Sequence, residues 1–490
     1  MKKYFYIALV FSIPLISCKK DHLITNNQNA TLHFSQDTVL FDTIFTSIGS
    51  ITKELMVYNN NDFDIITNVS LNGSSQAHFR MNVDGEPGSE INDVLIRAND
   101  SIFIFIEVTI DPTNTNTPYI VSDSLTFNTG NKKQTVDLVA YGQDAYFHTA
   151  NTYGNIINNN DTTKFFYHQI NCDETWNNDK PHVIYGYVIV DPGCVLTINQ
   201  GTTVHLHKNS GIIVGNPFME NTGGSIKVNG SLGSEVTFRG DRLDQWYDSI
   251  PGQWDRIWLY PGSIDNEFSY ANFYNGTIAI HADTIGNNNP TAIINNCRID
   301  NMSSIGILGQ GSKLEVNNSI ITKCGQYSVV CNIGGDYSFK HCTFANYWNF
   351  TNRQTPSILL NNYYEGTDGN TYTRNLNNAY FGNCIIDGNL STEISFQNNN
   401  NALFNYTFDH CLIKIDPEEN TNTANYINIH KNTDPGFENK KLYDFHLNEN
   451  SICNSNGDFN ISISEPILTL DLEGNNRENV PDLGALERID

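Results

Sequence analysis

The 490-residue sequence predicts an all-β protein in two parts, a sandwich followed by a solenoid of short parallel strands. Three observations carry that expectation. Asn, Thr, Ile and Gly outweigh Ala, Leu, Glu and Lys, a balance that suits pleated strands and positive-φ turns better than long helices. Hydrophobic residues make up 39% and aromatic residues 11%, enough at this length to bury a core in each of two domains. Finally, a six-residue frame recurs through the second half at a spacing that fits one coil of a helical wall.

The chain opens on MKKYFYIALVFSIPLISC, two lysines followed by an apolar run too short to span a bilayer comfortably. It ends in Leu15-Ile16-Ser17-Cys18, which resembles the lipobox of bacterial lipoproteins. That resemblance implies a signal peptide over 1–17 and a lipidated Cys18 as the mature first residue. It also implies an outer-membrane lipoprotein, periplasmic or surface-exposed. Several acyl chains hold a protein at a membrane where one would not. Residues 18–30 are polar and read as a tether, and Lys19-Lys20-Asp21 resembles a surface-sorting tag.

From 31 to 145, strand-like runs such as Lys53–Tyr58, Ser101–Val108 and Thr135–Tyr141 alternate with Asn-rich turns. About seven strands over this length is sandwich spacing. The layout resembles Ig-like domains of the abnormal-spindle/hydin type, which implies a spacer or contact module. Residues 146–182 read as a linker or an N-terminal cap, and 183–490 as the solenoid, with an insertion near 348–377.

The recurring frame is apolar, any, polar, small, any, apolar. It appears as Phe268–Phe273, Ile294–Ile299, Val316–Ile321, Phe339–Phe344, Phe381–Ile386 and Phe408–Ile413. Its small position runs from Ala271 through Cys297, Ser319, Cys342 and Cys384 to Cys411. Stacked coils lie about 4.8 Å apart, so equivalent side chains form ladders. The small residue faces a narrow interior, and the Asn or His before it takes a bend. Lys340, His341 and Cys342 could look like a nucleophile beside its base, but His341 and Cys342 occupy repeated positions, so they read as scaffold. The coils and the closing Pro481-Asp-Leu-Gly-Ala-Leu-Glu487 resemble the right-handed parallel β-helix domains of secreted bacterial proteins, the pectate-lyase-like superfamily. Nine further cysteines leave at least one unpaired within the chain, with Cys172–Cys194 and Cys324–Cys331 as candidate disulfides.

A formal net charge of −25 disfavours nucleic acid as a partner. The β-helix resemblance implies carbohydrate chemistry, but no Gly-His-Gly is present. Nor do the coils between Ile257 and Cys342 carry an outward column of carboxylates to pair with a base, as a Ca²⁺-dependent lyase needs. The densest polar cluster runs from Arg239 to Tyr260. Its candidate acid, base and anchoring groups are Asp241, Arg242, Asp255 and Arg256, with His281 on the next coil. Trp246, Tyr247, Trp254, Trp258 and Tyr260 supply faces on which sugar rings could stack. The same residues could instead be an Arg–Asp network pinning a loop, with tryptophans covering core. The expected function is a lipid-anchored envelope protein binding glycan or a protein partner without catalysis. The alternatives are a lyase or glycoside hydrolase acting on acidic glycans, and a purely structural envelope component. No cofactor or bound metal is expected, although the acidic surface leaves room for Ca²⁺.

Overall fold

A computed structural model describes residues 30–46, 49–73, 78–112, 119–158, 161–219, 223–283 and 289–489. The signal segment and Cys18 lie outside the described residues. Two compact units divide the chain, residues 1–143 and 144–490. Among the described residues no helix is long and apolar enough to cross a membrane.

The first unit is a sandwich of two five-stranded sheets. Strand Asp100–Val108 shows why: Ile102, Ile104, Ile106 and Val108 alternate inward, while Phe103 and Phe105 point out. The two sheets close on Val39, Phe41, Leu55, Val57, Phe127 and Leu138, all essentially inaccessible. Ten strands replace the seven anticipated, because short pieces such as His33–Phe34 and Glu86–Gly88 extend the edges. Thr38–Phe45 pairs in parallel with Lys132–Gln143, the one parallel pairing described in this unit.

The second unit is a parallel β-helix. Each full turn gives one strand to each of three sheets, of eleven, ten and ten strands. One turn runs Ala271–Tyr274, Ile278–Asp283, Ala292–Asn295, and the next Arg298–Met302, Ile305–Gln310, Lys313–Asn317. These strands define sheets one, two and three in that order, and pair residue for residue, as in Asn272↔Arg298, Ile280↔Ile307 and Ile294↔Val316. Rings stack at the coil spacing along the core: Phe339 on Phe381 at 4.7 Å and Phe381 on Phe408 at 4.8 Å.

The recurring hexads are the corners between sheets three and one. Tyr270, Asn296, Asn318, His341, Asn383 and His410 all have φ between 46° and 53°, the left-handed region that Asn and His enter more readily than most residues. Each is followed by the small residue, with Cys297, Ser319, Cys342, Cys384 and Cys411 fully buried. Their side chains do more than fill space. Ser319 Oγ donates to the carbonyl two residues back at 2.8 Å. The thiols of Cys297, Cys342, Cys384 and Cys411 point at the equivalent carbonyls at 3.3–3.4 Å. Each of these carbonyls also accepts the backbone N–H of the left-handed residue on the neighbouring coil, as Lys340 does from Asn318 at 3.0 Å, so the small donor is its second partner. Burial pushes the Cys297 thiol up to about 12 and the Cys384 thiol well above its ordinary value, so neither is a nucleophile.

The parallel wall begins earlier than expected. Tyr146–His148 already pairs with His182–Ile184, and the antiparallel hairpin of Thr152–Asn158 with Asp161–Gln169 closes that end. Residues 146–182 are therefore a first turn and its cap rather than a linker. Cys172 and Cys194 are bonded and tie this turn to the second across 22 residues. Cys324 and Cys331 are both free, each spent as buried filler. The presumed insertion is also divided: Ile358–Asn361 is a strand of sheet two with Ile358 and Leu360 in the core, and only the hairpin Tyr363–Glu365/Thr371–Thr373 departs from the wall beyond it.

Candidate functional site

The segment linking Val236–Gly240 of sheet one to Ile257–Leu259 of sheet two carries most of the polar and aromatic candidates. It contains one short 3-10 helix, Gln245–Ser249, and is held down by amides: Gln253 Nε2 donates to the carbonyls of Tyr247 and Ile250 at 2.6 and 2.8 Å. The candidates fall into three groups.

The first centres on Asp241, which accepts from His207 Nδ1 at 2.7 Å and whose charge, after burial, raises the pKa of the nearby Tyr185 hydroxyl. Tyr185 and His207 stack at 4.6 Å. The second is the outer loop. Arg242 lies 4.0 Å over the Tyr247 ring and reaches Asp244 at 3.4 Å. Trp246 stands edge-on to Tyr247 at 4.9 Å, and 67% of its surface is exposed. Trp254 does not join them: it is 1% exposed, packed in the core, with Nε1 donating to the Tyr274 carbonyl at 2.8 Å. Its expected place in a sugar site is therefore corrected. The preceding Gly252-Gln253 turn swings it inward, where it makes a bridge to Gly276.

The third group lies on the outer face of sheet two. Trp258 is the register partner of His281, and their rings are parallel at 5.4 Å. Tyr260 meets the Trp258 edge at 5.2 Å. Asp255 takes Arg256 in a two-pronged ion pair at 2.9 and 3.1 Å and accepts from the Tyr187 hydroxyl at 2.6 Å. Arg256 Nη1 in turn faces His281 Nδ1 at 3.3 Å, while His281 Nε2 meets Gln310 Oε1 at 2.6 Å. The amide oxygen and the guanidinium together fix the tautomer: Nε2–H donates to Gln310, and Nδ1 accepts from Arg256. Burial first, and then the adjacent Arg256 charge, depress His281 to about 4. It is a neutral imidazole with both nitrogens occupied.

This arrangement can stack and hydrogen-bond a ligand, but it offers no poised base. Asp241 and Asp255 belong to separate networks, each already neutralised or capped, rather than to a carboxylate pair flanking a cleft. Among the described residues no group of three or more His, Cys, Asp or Glu converges as metal ligands would. The sequence missed Tyr185, His207, Tyr187 and Gln310, which complete these networks. Their signal was present in hindsight only as outward positions of sheet strands and corners one or more coils away.

His341, beside the apparent Lys-His-Cys triplet, is fully buried under the C-terminal segment. Nδ1 donates to the Gly484 carbonyl at 3.2 Å, and Nε2 accepts from Asn383 Nδ2 at 2.9 Å and Ser462 Oγ at 2.8 Å. The Asp482–Glu487 ending is a clasp. Asp482 caps the Ser455 and Arg488 amides at 2.7 Å, Leu483 and Ala485 are buried, and Glu487 pairs with buried Arg477.

No family model and no curated protein matches the chain. Among solved structures, a family 123 glycoside hydrolase from Clostridium perfringens is 13% identical with a TM-score of 0.17, covering 23% of this chain. This chain spans about a quarter of that protein, 26%. The catalytic domain of a GH87 alpha-1,3-glucanase is 10% identical over 78% of this chain and 87% of its own, with a TM-score of 0.19. The ASH/PapD-like domain 7 of human CEP192 is 14% identical over 29% of this chain and 97% of its own, at 0.17. At such scores no functional weight rests on these likenesses. What strand pairing and site define is a class: a β-sandwich joined to a parallel β-helix bearing an aromatic loop and a closed Asp–Arg–His network.

Proposed function

We propose that the coiled unit recognises a glycan without transforming it, and that a lipid on Cys18 holds the chain at a bacterial envelope. The observation that carries the glycan reading is Trp246, 67% exposed and held against Tyr247 on a loop fastened to the wall. An indole left this open and yet oriented by a neighbour suits a platform for sugar C–H faces, with the Arg242 and Asp244 groups nearby for hydroxyls. The closed state of the Asp255–Arg256–His281–Gln310 chain supports binding over catalysis.

Retention of the full chain on an array of defined oligosaccharides tests the reading. Trp246→Ala is expected to weaken retention by about tenfold or more while leaving the melting temperature unchanged. Unchanged retention, or release of reducing ends or unsaturated products from any retained glycan, would overturn it. The anchor is tested separately: Cys18→Ala should move the protein from the membrane fraction to the soluble one in a lipoprotein-processing host.

A further inference from the structure

The core of the β-helix ends, at its first turn, on a pair of histidines. Tyr146–His148 is the edge strand of sheet one, and its register runs Tyr146↔His182↔Val204 and His148↔Ile184↔Leu206. Ile184, Val204 and Leu206 belong to the core, so His148 and His182 face inward as well. They are 6% and 4% exposed. His148 Nε2 and His182 Nδ1 share a hydrogen bond at 3.0 Å. The two rings lie side by side, 9° from coplanar, over the buried Trp176 indole at 4.4 and 4.6 Å. Trp176 itself sits on Thr175–Trp176, the edge strand of sheet three.

We infer that this pair makes Tyr146–His148 an acid-released cap: a proton taken from solvent frees the edge strand from the wall, while Cys172–Cys194 keeps the Trp176 strand in place. The groups around the pair give a cation little support. His168 meets His148 edge-on at 5.1 Å, with its Nδ1 donating to the Thr149 carbonyl at 2.8 Å. Asp179 is taken by the Tyr146 hydroxyl at 2.6 Å and Glu174 by Trp176 Nε1 at 2.9 Å. Lys180 faces Asp144 at 3.9 Å. The Asn177 carbonyl, Asp179 and Glu174 favour a charged His182, but burial outweighs them and holds it at about 4. Burial, then the two neighbouring histidines, holds His148 at about 3. Once the strand leaves, both rings meet water and return toward 6.5. Cap stability is therefore fully present above about 6.5, and as pH falls toward 4 opening rises by up to about tenfold per pH unit for each ring. Little else resists, since the strand pairs through three residues and on one side only. A leucine at either position would close the core at any pH, whereas histidine makes closure conditional. The device stands apart from the aromatic loop and does not depend on the glycan reading.

Hydrogen exchange of the full chain at pH 7.5, 6 and 5, followed by mass spectrometry and corrected for the intrinsic pH dependence of amides, tests the cap. The reporting fragments hold Tyr146, whose N–H donates to the Pro181 carbonyl at 2.9 Å, and Tyr185, whose N–H donates to the His148 carbonyl at 3.0 Å. Both should exchange about tenfold or more faster at pH 5 than at pH 7.5, and at pH 5 faster than the coils of residues 292–346. His148→Gln, whose amide imitates a neutral Nε2, and His182→Asn, which imitates Nδ1, should each flatten the pH dependence. No acceleration between pH 7.5 and 5, exchange at pH 5 no faster than in residues 292–346, or an unaltered pH dependence in whichever variant folds would overturn the inference.

Discussion

Sheet one has two long edges, and the chain treats them differently. At the edge entering from sheet three, one solution repeats coil after coil: a left-handed Asn or His, then a small buried donor. At the edge leaving toward sheet two, a left-handed corner recurs only over three successive coils, at Asn275, Asn301 and Lys323, and the excursions between Gly240 and Ile257 and between Asn346 and Ile358 share no pattern. Repetition marks where geometry alone dictates the residue. Irregularity marks where something else does, either a unique fastening or a surface for a ligand.

The sharpest way to break that contrast is to ask whether the irregular edge is also scaffold. Arg353 and Glu393 form a two-pronged ion pair, 1% and 0% exposed, that fastens the second excursion to the next coil. Removing one partner strands a buried charge, so Arg353→Ala is expected to lower unfolding free energy by about 3–5 kcal/mol in a denaturant titration. A loss below about 1 kcal/mol would mean the excursion is merely draped over the wall.

On the regular edge, Gly484 has φ of 89°, and a Cβ there would lie 2.6 Å from Thr343 Oγ1. Gly484→Ala should cost about 1–3 kcal/mol and increase protease cleavage near residues 455–487 before global unfolding. Equal resistance would show that the clasp does not depend on this close approach.

Acid probes the strands and a corner of the wall together. His281 and His205 have folded pKa values depressed to about 4, and His341 is held well below its ordinary value, in each case chiefly by burial. The unfolded chain, with histidines near 6.5, therefore binds more protons as pH falls. Stability conferred by these neutral rings is fully present above about 6.5 and declines toward 4, by up to about 1.4 kcal/mol per pH unit for each group. Melting curves at pH 7.5, 6 and 5 should show this decline, with a flatter dependence for His281→Gln. Identical slopes would remove His281 from the account.

The smallest expected effect is an exchange inside the ladder. Cys342→Ser imitates Ser319 and keeps the donor to the Lys340 carbonyl, so its melting temperature should move by no more than about 1 kcal/mol equivalent. Cys342→Val, which deletes the donor and adds volume, should do worse than serine.

The sequence made the regular edge legible because its cause is local. The left-handed corner selects Asn or His, and the narrow interior selects Cys, Ser or Ala, so the frame from Phe268 to Ile413 could be read without coordinates. The aromatic loop was legible in content but not in direction. Trp246 and Trp254 look alike in sequence, yet one faces solvent and the other lies in the core, because the turn at Gly252-Gln253 decides the matter. Networks that join distant coils were out of reach: Tyr187 and Asp255 stand 68 residues apart, and Asn318 and Arg477 stand 159 apart. The division of the supposed insertion was missed for another reason: Pro356-Ser357 and Asn361-Asn362 do bracket Ile358-Leu-Leu, but so short an apolar run shows no alternation by which to know a strand.

The clasp has a bearing on how the chain is made. Contacts from Asp458, Arg477 and Gly484 reach back 75 to 159 residues to corners laid down much earlier. During synthesis, therefore, the middle coils emerge with Asn318, His341 and Asn383 still open to water, and they are sealed only when the tail arrives. Stretches made first must wait, half-finished, for the last to lock them.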